Sequence, residues 1–296
     1  MINIVEVGPR DGLQNEKSII STADKFEFIR LLSETGLKKI EATSFVKAEA
    51  IPQMGDAKEL FELLQGLPKK NLTYSALVPN LVGLEQAISS QVKEIAVFTA
   101  CSDSFSKKNI NCTVDESMSK IEAVMIKAQA HQMSVRGYIS TAFGCPYEGK
   151  VSLKRIIEIA EKLIQLGAYE ISIGDTIGVA TPKEVKTLVE TLKQSVPLSK
   201  IAMHFHDTRG MALTNIYQSL ELGIETYDAS AAGLGGCPYA KGATGNVATE
   251  DVLHLMEVQG LRTGVDLPKL VTASRFILGK LQKQTESKFL KTLLEE

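Results

Sequence analysis

Residues 170–206 read EISIGDTIGVATPKEVKTLVETLKQSVPLSKIAMHFH and contain one complete strand–helix–strand unit. The runs Glu170–Gly174 and Lys200–His206 are short and largely apolar, as buried parallel strands are. Between them, residues 181–184 (TPKE) form a capping box with proline at the first helical position. The segment therefore predicts two parallel strands joined by a helix.

The same unit repeats along the chain. Ser21 and Ser152 can cap further helices, which Gly36 and Gly167 would end. The predicted strands are Asn3–Val7, Lys39–Thr43, Leu72–Val78, Glu94–Thr99, Ser134–Thr141, Glu170–Gly174, Lys200–His206 and Thr226–Ala231. Eight strands alternating with helices predict an α/β fold, a closed (β/α)8 TIM barrel. The alternative is an open doubly wound sheet, but no GxGxxG motif follows the first strand.

The length of 296 residues suits one barrel, which typically takes about 250 residues, with a short extension. We predict that the barrel spans residues 1–264. Residues 265–296 would form a C-terminal helical extension packed on it, with a helix starting near Pro268.

Bulk composition excludes several classes of protein. Charged residues make up 23% of the chain and the net charge is −2, so no basic surface for nucleic acid is expected. The four cysteines form no CxxC pair, which fits a reducing compartment. No leader peptide is recognisable, and no stretch approaches the roughly 18 apolar residues of a membrane span. These features predict a cytoplasmic protein without membrane or nucleic-acid partners.

Two of the chain's four histidines, His204 and His206, lie at the end of the seventh predicted strand. Side chains at i and i+2 of a strand share a face, while Met203 and Phe205 point the other way. If the apolar pair packs on the outer helices, both imidazoles enter the barrel mouth, where TIM-barrel active sites lie. Two neutral imidazoles there can hold a divalent metal. The alternatives are two structural histidines or a His–Asp switch with Asp207.

Two oxygen-bearing residues are candidates for the same metal. Asp11 could bring a carboxylate from the end of the first strand, although Asp-Gly is also a strong turn signal. Asn246 could bring an amide oxygen, or could instead be the N-cap of an eighth helix predicted over Val247–Gln259. With His204 and His206 they give two nitrogen and two oxygen ligands. Such a set suits six-coordinate Mg2+ or Mn2+ better than tetrahedral Zn2+.

Four further polar residues lie at predicted strand ends or in the loop after the eighth strand. Arg10 is a solvated surface residue, an ion-pair partner or, beside a metal, a stabiliser of an oxyanion. Glu41 and Asp175 are either partners of Arg10 or hydrogen-bond acceptors behind the ligands. Cys237, in a glycine-rich loop, is either a small buried residue or part of a lid over the barrel mouth.

Several of these motifs resemble the 3-hydroxy-3-methylglutaryl-CoA lyase family. They are residues 8–16 (GPRDGLQNE), 106–112 (SKKNINC), 174–178 (GDTIG), the HxH pair, and 235–246 (GGCPYAKGATGN). The match covers nearly the whole chain in order. The first motif and the cysteine loop are specific to the lyases. The HxH and Arg-Asp motifs are shared with isopropylmalate synthases, homocitrate synthases and certain aldolases.

The resemblance implies cleavage of 3-hydroxy-3-methylglutaryl-CoA to acetyl-CoA and acetoacetate with Mg2+ or Mn2+, a step of leucine catabolism. It also implies roles for the matching residues. The metal ligands would be Asp11, His204, His206 and Asn246, the essential arginine Arg10, the loop cysteine Cys237, and the acidic active-site residues Glu41 and Asp175.

A mechanism follows from this implied reaction. A base removes the proton of the substrate's tertiary alcohol, and the thioester accepts the electrons as an enolate. Arg10 would bind the substrate and stabilise the enolate oxygen. His204 and Asp11 are the candidates for the base. Cys237 would protonate the departing carbanion or close the lid.

Two other functions compete with the lyase. One is a related barrel aldolase or Claisen synthase, although synthases usually carry larger C-terminal domains. The other is a catalytically silent barrel that binds metal or CoA. The expected partner is an acyl-CoA substrate. The segment after residue 264 could in addition mediate a homodimer or another homo-oligomer.

Overall fold

The computed structural model describes residues 1–68, 71–236 and 245–294. Eight parallel strands form a closed barrel in sequence order, and the eighth pairs back onto the first. The strands are β1 (Asn3–Glu6), β2 (Lys39–Ser44), β3 (Thr73–Leu77), β4 (Glu94–Ala100), β5 (Ser134–Ser140), β6 (Glu170–Asp175), β7 (Ile201–Phe205) and β8 (Thr226–Ala229). The predicted TIM barrel is confirmed, and the open doubly wound sheet is excluded because the barrel closes.

Helices follow the strands and form the outer layer. They are α1 (Thr22–Ser33), α2 (Ala57–Leu64), α3 (Leu81–Ser89), α4 (Asp103–Ile110), α5 (Val114–Ala130), α6 (Leu153–Gln165), α7 (Pro182–Leu192), α8 (Ala212–Glu221), α9 (Thr249–Val258), α10 (Leu267–Leu281) and α11 (Lys288–Leu294). None of the helices in the described part of the chain combines the length and apolar character that crossing a membrane requires.

The capping residues identified in the sequence mark the observed helix starts in most cases. The Ser21 hydroxyl accepts the Asp24 amide at the start of α1, and the capping box of Thr181 and Glu184 opens α7. Ser152 occupies the N-cap position of α6 without a side-chain hydrogen bond. One local interpretation is wrong: α9 begins at Thr249 after Ala248, so Asn246 does not cap it.

The last two helices pack on the barrel. Leu270, Ala273 and Ile277 of α10 are fully buried, and α10 lies against α1. Beyond it, the Asp251 carboxylate of α9 accepts a hydrogen bond from the Ser287 hydroxyl at 2.6 Å, which ties the segment before α11 to the barrel. The extension therefore shares the core of the barrel.

The barrel interior contains charged side chains along its length. His204 of β7 lies opposite Asp228 of β8 in the sheet register. Arg136 of β5 lies opposite Glu170 of β6. Charged side chains inside a closed sheet are buried and need partners, and the register supplies them. This arrangement leads directly to the candidate site.

Candidate metal centre

The structure brings Asp11, His204 and His206 together at the C-terminal mouth of the barrel. One potential ligand atom from each lies within 4.8 Å of the other two, although they come from opposite ends of the sequence. Both imidazoles are only 9% exposed, and their ring centroids are 5.2 Å apart. Asp11 reaches them from the single helical turn Gly8–Gly12 that follows β1 and has Pro9 as its second residue, where proline is tolerated.

Asn246 completes the set through backbone pairing. The segment containing it runs antiparallel to the end of β7: the Asp207 amide donates to the Gly245 carbonyl and the Val247 amide to the Phe205 carbonyl. Asn246 consequently lies opposite His206. Its amide nitrogen donates to an Asp11 carboxylate oxygen at 2.8 Å. Tertiary pairing, rather than a helix end, places this residue.

Two buried atoms identify what the cluster can hold. Oδ1 of Asn246 and Nδ1 of His206 have no hydrogen-bond partner among the described residues. Buried polar atoms without partners are rare and costly, and a cation would satisfy both. Two imidazoles, a carboxylate and an amide oxygen therefore fit a divalent metal ion, with an oxygen content that suits Mg2+ or Mn2+.

The electrostatics keep two of these groups in their ligand forms at neutral pH. Burial opposes the ionisation of Asp11, but the Arg10 charge, both histidines and the Asn246 amide lower its pKa to about 2. Burial and the neighbouring His204 lower the pKa of His206 to about 4. Asp11 is therefore a carboxylate and His206 a neutral imidazole, the forms that bind metal.

His204 differs from its neighbour. Burial disfavours its charged form, but the hydrogen bond and charge of Asp228, together with Asp11, raise its pKa. The Asp228 contact joins Oδ2 to Nδ1 of the imidazole at 3.2 Å. Nε2 is then the nitrogen left for an ion.

Arg10 and Glu41 form a buried ion pair beside the cluster. The Arg10 Nε and Nη2 atoms each lie 2.6 Å from one Glu41 carboxylate oxygen, and Nη1 donates to Asp11 at 2.5 Å. Arg10 is 6% exposed and Glu41 1%. The surface alternative for Arg10 is thus wrong, and Glu41 is its partner. The pairing holds the guanidinium against the candidate metal ligands.

Asp175 ends β6 at the same mouth, but among the described residues it forms no hydrogen bond or ion pair with Arg10. Its two carboxylate oxygens accept the backbone amides of Val179 and Ala180, each at 2.9 Å. Burial raises its pKa to about 6, against the effect of these two amides. Asp175 thus fixes the loop before α7, as a hydrogen-bond acceptor behind the ligands.

Cys237 lies outside the described residues. The two ends of its loop are described, and they come close together: a Cβ added to Gly245 would lie 2.8 Å from the Gly235 carbonyl carbon. Glycine at residue 245 is required by this approach of two backbones. The loop leaves and rejoins the barrel beside Asn246.

Three buried residues were not identified from the sequence: Arg136, Tyr138 and Asp228. Arg136 and Tyr138 are two residues apart in β5 and so share one face of the strand. The Tyr138 hydroxyl donates a hydrogen bond to Glu41 at 3.3 Å. For Arg136 a sequence signal was available, because a charged residue in the middle of a predicted barrel strand is buried and needs a partner there.

A comparison with models of known protein families shows to which family this chain belongs. The family model described as HMGL-like matches residues 1–277. This chain belongs to the HMGL-like family. The resemblance of the sequence motifs to the lyases of this family is thereby confirmed.

Members of the HMGL-like family match along almost the full chain. Human mitochondrial hydroxymethylglutaryl-CoA lyase is 50% identical over 287 residues, which are 97% of this chain and 88% of the human one. Hydroxymethylglutaryl-CoA lyase from Pseudomonas aeruginosa superposes with a TM-score of 0.96 at 49% identity, covering 99% of this chain and 97% of that chain. An HMG-CoA lyase from Acinetobacter baumannii, solved with coenzyme A and 3-methylmalate, gives 0.93 at 35% identity, covering 98% of this chain and 94% of that one.

Proposed function

We propose that this protein is a divalent-metal-dependent carbon–carbon lyase that cleaves 3-hydroxy-3-methylglutaryl-CoA to acetyl-CoA and acetoacetate. The observation that carries the proposal is the buried Arg10 guanidinium held against the Asp11–His204–His206 cluster. It occurs in a chain that is 50% identical to human hydroxymethylglutaryl-CoA lyase. An oxyanion stabiliser beside a metal site is what a retro-Claisen cleavage needs.

We propose Mg2+ or Mn2+ as the ion, held by Asp11, His204, His206 and Asn246. When bound, such an ion would polarise substrate oxygens and make the tertiary alcohol more acidic. The support for this choice is the donor set together with the unpartnered buried Oδ1 of Asn246. In soluble proteins such an atom is nearly always satisfied by a partner.

Arg10 would act on the thioester. As the bond between C2 and C3 of the acyl group breaks, its electron pair moves into the thioester and gives an enolate oxygen. The guanidinium is always charged, because both Glu41 and Asp11 raise its pKa further in spite of its burial. Since Glu41 fixes its orientation, Arg10 offers a prepositioned donor that needs no reorganisation during the reaction.

The two proton transfers are separate steps. The alcohol proton leaves to a base as C3 becomes the ketone of acetoacetate, and the C2 enolate then takes up a proton to become acetyl-CoA. His204 uses Nδ1 for Asp228 and keeps only Nε2, so it has no second free lone pair once it serves as a ligand. We therefore assign His204 to metal binding rather than to the base.

We assign Cys237 to the protonation of the acetyl-CoA carbanion or to closure of the loop over it. The support is the position of the loop ends, since Gly235 and Gly245 adjoin Asn246 and hence the candidate metal. A lid over this mouth would exclude water from the carbanion.

Location and assembly belong to the same proposal. We propose a cytoplasmic protein, supported by Cys101, Cys112 and Cys145, which are buried and unpaired by disulfides. We also propose a homodimer or another homo-oligomer, for which size measurement in solution is the test.

Acetoacetate release from 3-hydroxy-3-methylglutaryl-CoA tests the function. We expect turnover by the purified protein with Mg2+ or Mn2+ and none after treatment with EDTA, with recovery when metal is returned. Absence of turnover despite bound metal would exclude the lyase and favour an aldol or Claisen reaction on another acyl-CoA. Absence of both would favour a catalytically silent barrel.

A further inference from the structure

The carboxylate of Asp228 lies directly behind His204, inside the barrel. Asp228 is 2% exposed, and its Oδ2 faces Nδ1 of His204 at 3.2 Å. The same oxygen accepts the Ser172 hydroxyl at 2.7 Å. The other oxygen, Oδ1, lies 2.8 Å from Nη2 of Arg136. Three neighbouring strands therefore fix this carboxylate.

Arg136 is itself held rigidly. Its Nε donates to a Glu170 oxygen at 2.7 Å, and Nη1 donates to the Tyr138 hydroxyl at 2.9 Å. At 2% exposure the guanidinium has little access to water, so each of these partners matters. If Asp228 rotated away from His204, it would also lose its ion pair with Arg136, which would keep only the Glu170 carboxylate.

The contact at Nδ1 fixes two properties of the imidazole. It sets the plane of the ring, and it makes Nδ1 the protonated nitrogen, so that Nε2 carries the lone pair. Nε2 is the nitrogen that remains for the cluster with Asp11 and His206. His206 has no such carboxylate partner among the described residues, and its ring hydrogen-bonds the backbone of Thr176 instead. The two histidines are therefore held by different means.

We propose that Asp228 is a positioning residue for His204, and that Arg136 holds Asp228 in place for this role. This inference rests on the proposed metal-dependent function and adds a residue that contacts neither ion nor substrate. It assigns to Asp228 the preparation of His204 as a ligand before any ion arrives.

The test is the Mn2+ affinity of Asp228→Asn, measured by electron paramagnetic resonance of free Mn2+ during titration. We expect Kd to rise about 10- to 100-fold, the usual effect of removing a partner from a metal-ligating histidine. Lyase activity should recover in part at high Mn2+, which separates weaker binding from lost chemistry.

Glu170→Gln is the matched control. It also removes a buried negative charge beside Arg136, but glutamine keeps an oxygen that can accept the Arg136 Nε hydrogen bond, and Glu170 pairs with neither Asp228 nor His204. We expect its Mn2+ Kd to stay within about threefold of the wild type, even where its melting temperature falls. Equal losses in both variants, or an unchanged Kd in Asp228→Asn, would overturn the proposal.

A milder variant keeps the test valid if Asp228→Asn does not fold. Ser172→Ala leaves every charge in place and removes only the hydroxyl bound to Oδ2. We expect about a two- to tenfold rise in Kd, the effect of one hydrogen bond, and an unchanged Kd would refute the positioning role. A wild-type protein that binds Mn2+ without releasing acetoacetate from 3-hydroxy-3-methylglutaryl-CoA would refute the proposed function alone and leave this inference standing.

Discussion

The Arg10 side chain is the residue on which the proposed chemistry depends most. It is buried, it is paired with Glu41, and it lies against Asp11. Each contact serves to hold a permanent positive charge at the barrel mouth, where the enolate oxygen would form. A glutamine can keep one hydrogen bond there but not the charge.

Arg10→Gln should reduce kcat about 10²- to 10³-fold with a modest change in KM, because one prepositioned donor to an oxyanion is lost. Steady-state acetoacetate release measures both constants. Arg155→Gln is the control, since Arg155 pairs with the exposed Asp115 on the outer helices and should leave kcat unchanged. Retention of kcat in Arg10→Gln would remove the residue from this role.

Asn246 allows a second prediction for a single residue. Asn246→Ala removes the unpartnered Oδ1, which we propose as a metal ligand. Its Kd for Mn2+ should therefore rise by more than the roughly 10- to 100-fold that is typical when a residue behind a ligand is removed. Isothermal titration with Mn2+ measures this change. A loss smaller than that of Asp228→Asn would contradict ligation by the Asn246 amide oxygen.

At the level of elements, the sequence was sufficient for all eight strands and for the closure of the barrel. Apolar runs and capping residues are local signals, and the Thr181 capping box behaves as such signals predict. Asn246 shows the limit of local signals. Its side chain serves tertiary pairing with β7, and no capping rule contains that information.

Asp11, His204 and His206 could be predicted because they lie at or just after strand ends, and Asn246 because it belongs to the motif of residues 235–246. Asp228 could not be singled out in the same way. Its partners Arg136 and His204 are determined by the register of strands that are distant in sequence, and only the folded barrel brings them together. Register across a closed sheet is a property of the whole assembly of strands.

The turn after β8 provides a pH-dependent prediction. Glu250 of α9 accepts the Ala232 amide at 2.9 Å, where Ala232 has a φ of +60°, and the Ser274 hydroxyl of α10 also donates to it. Burial raises the pKa of Glu250 to about 8, against its hydrogen bonds. The folded state then binds a proton that the unfolded state releases, so stability should fall as pH rises from about 5 to 8.

Glu250→Gln should flatten this pH dependence, because glutamine does not ionise. One group contributes at most about 1.4 kcal/mol per pH unit to the slope. Urea unfolding at several pH values between 5 and 9 measures it. The exposed Glu257 of the same helix is the control, and Glu257→Gln should keep the wild-type slope. Identical slopes in all three proteins would contradict the assignment.

At the scale of the whole molecule, the C-terminal helices are part of the barrel's core. Ile277→Ala should lower the free energy of unfolding by about 2 to 5 kcal/mol, as large-to-small changes at fully buried sites do. Val258, 66% exposed on α9, is the matched aliphatic control, and Val258→Ala should change stability by less than about 0.5 kcal/mol. Denaturant unfolding measures both. A small loss in Ile277→Ala would favour an independent extension.

The buried ion pairs of the barrel also have a consequence for charge balance. These ion pairs involve two guanidinium groups and four carboxylates. Arg10 pairs with Asp11 and Glu41, and Arg136 pairs with Glu170 and Asp228. With all six groups ionised and the imidazoles neutral, this network carries a net charge of two negative units, which one divalent cation would neutralise. Such an ion would relieve repulsion inside the fold, and at about 100 times its Kd it should add about 2.7 kcal/mol of stability. The barrel would then depend on the same ion for its cohesion and for its chemistry.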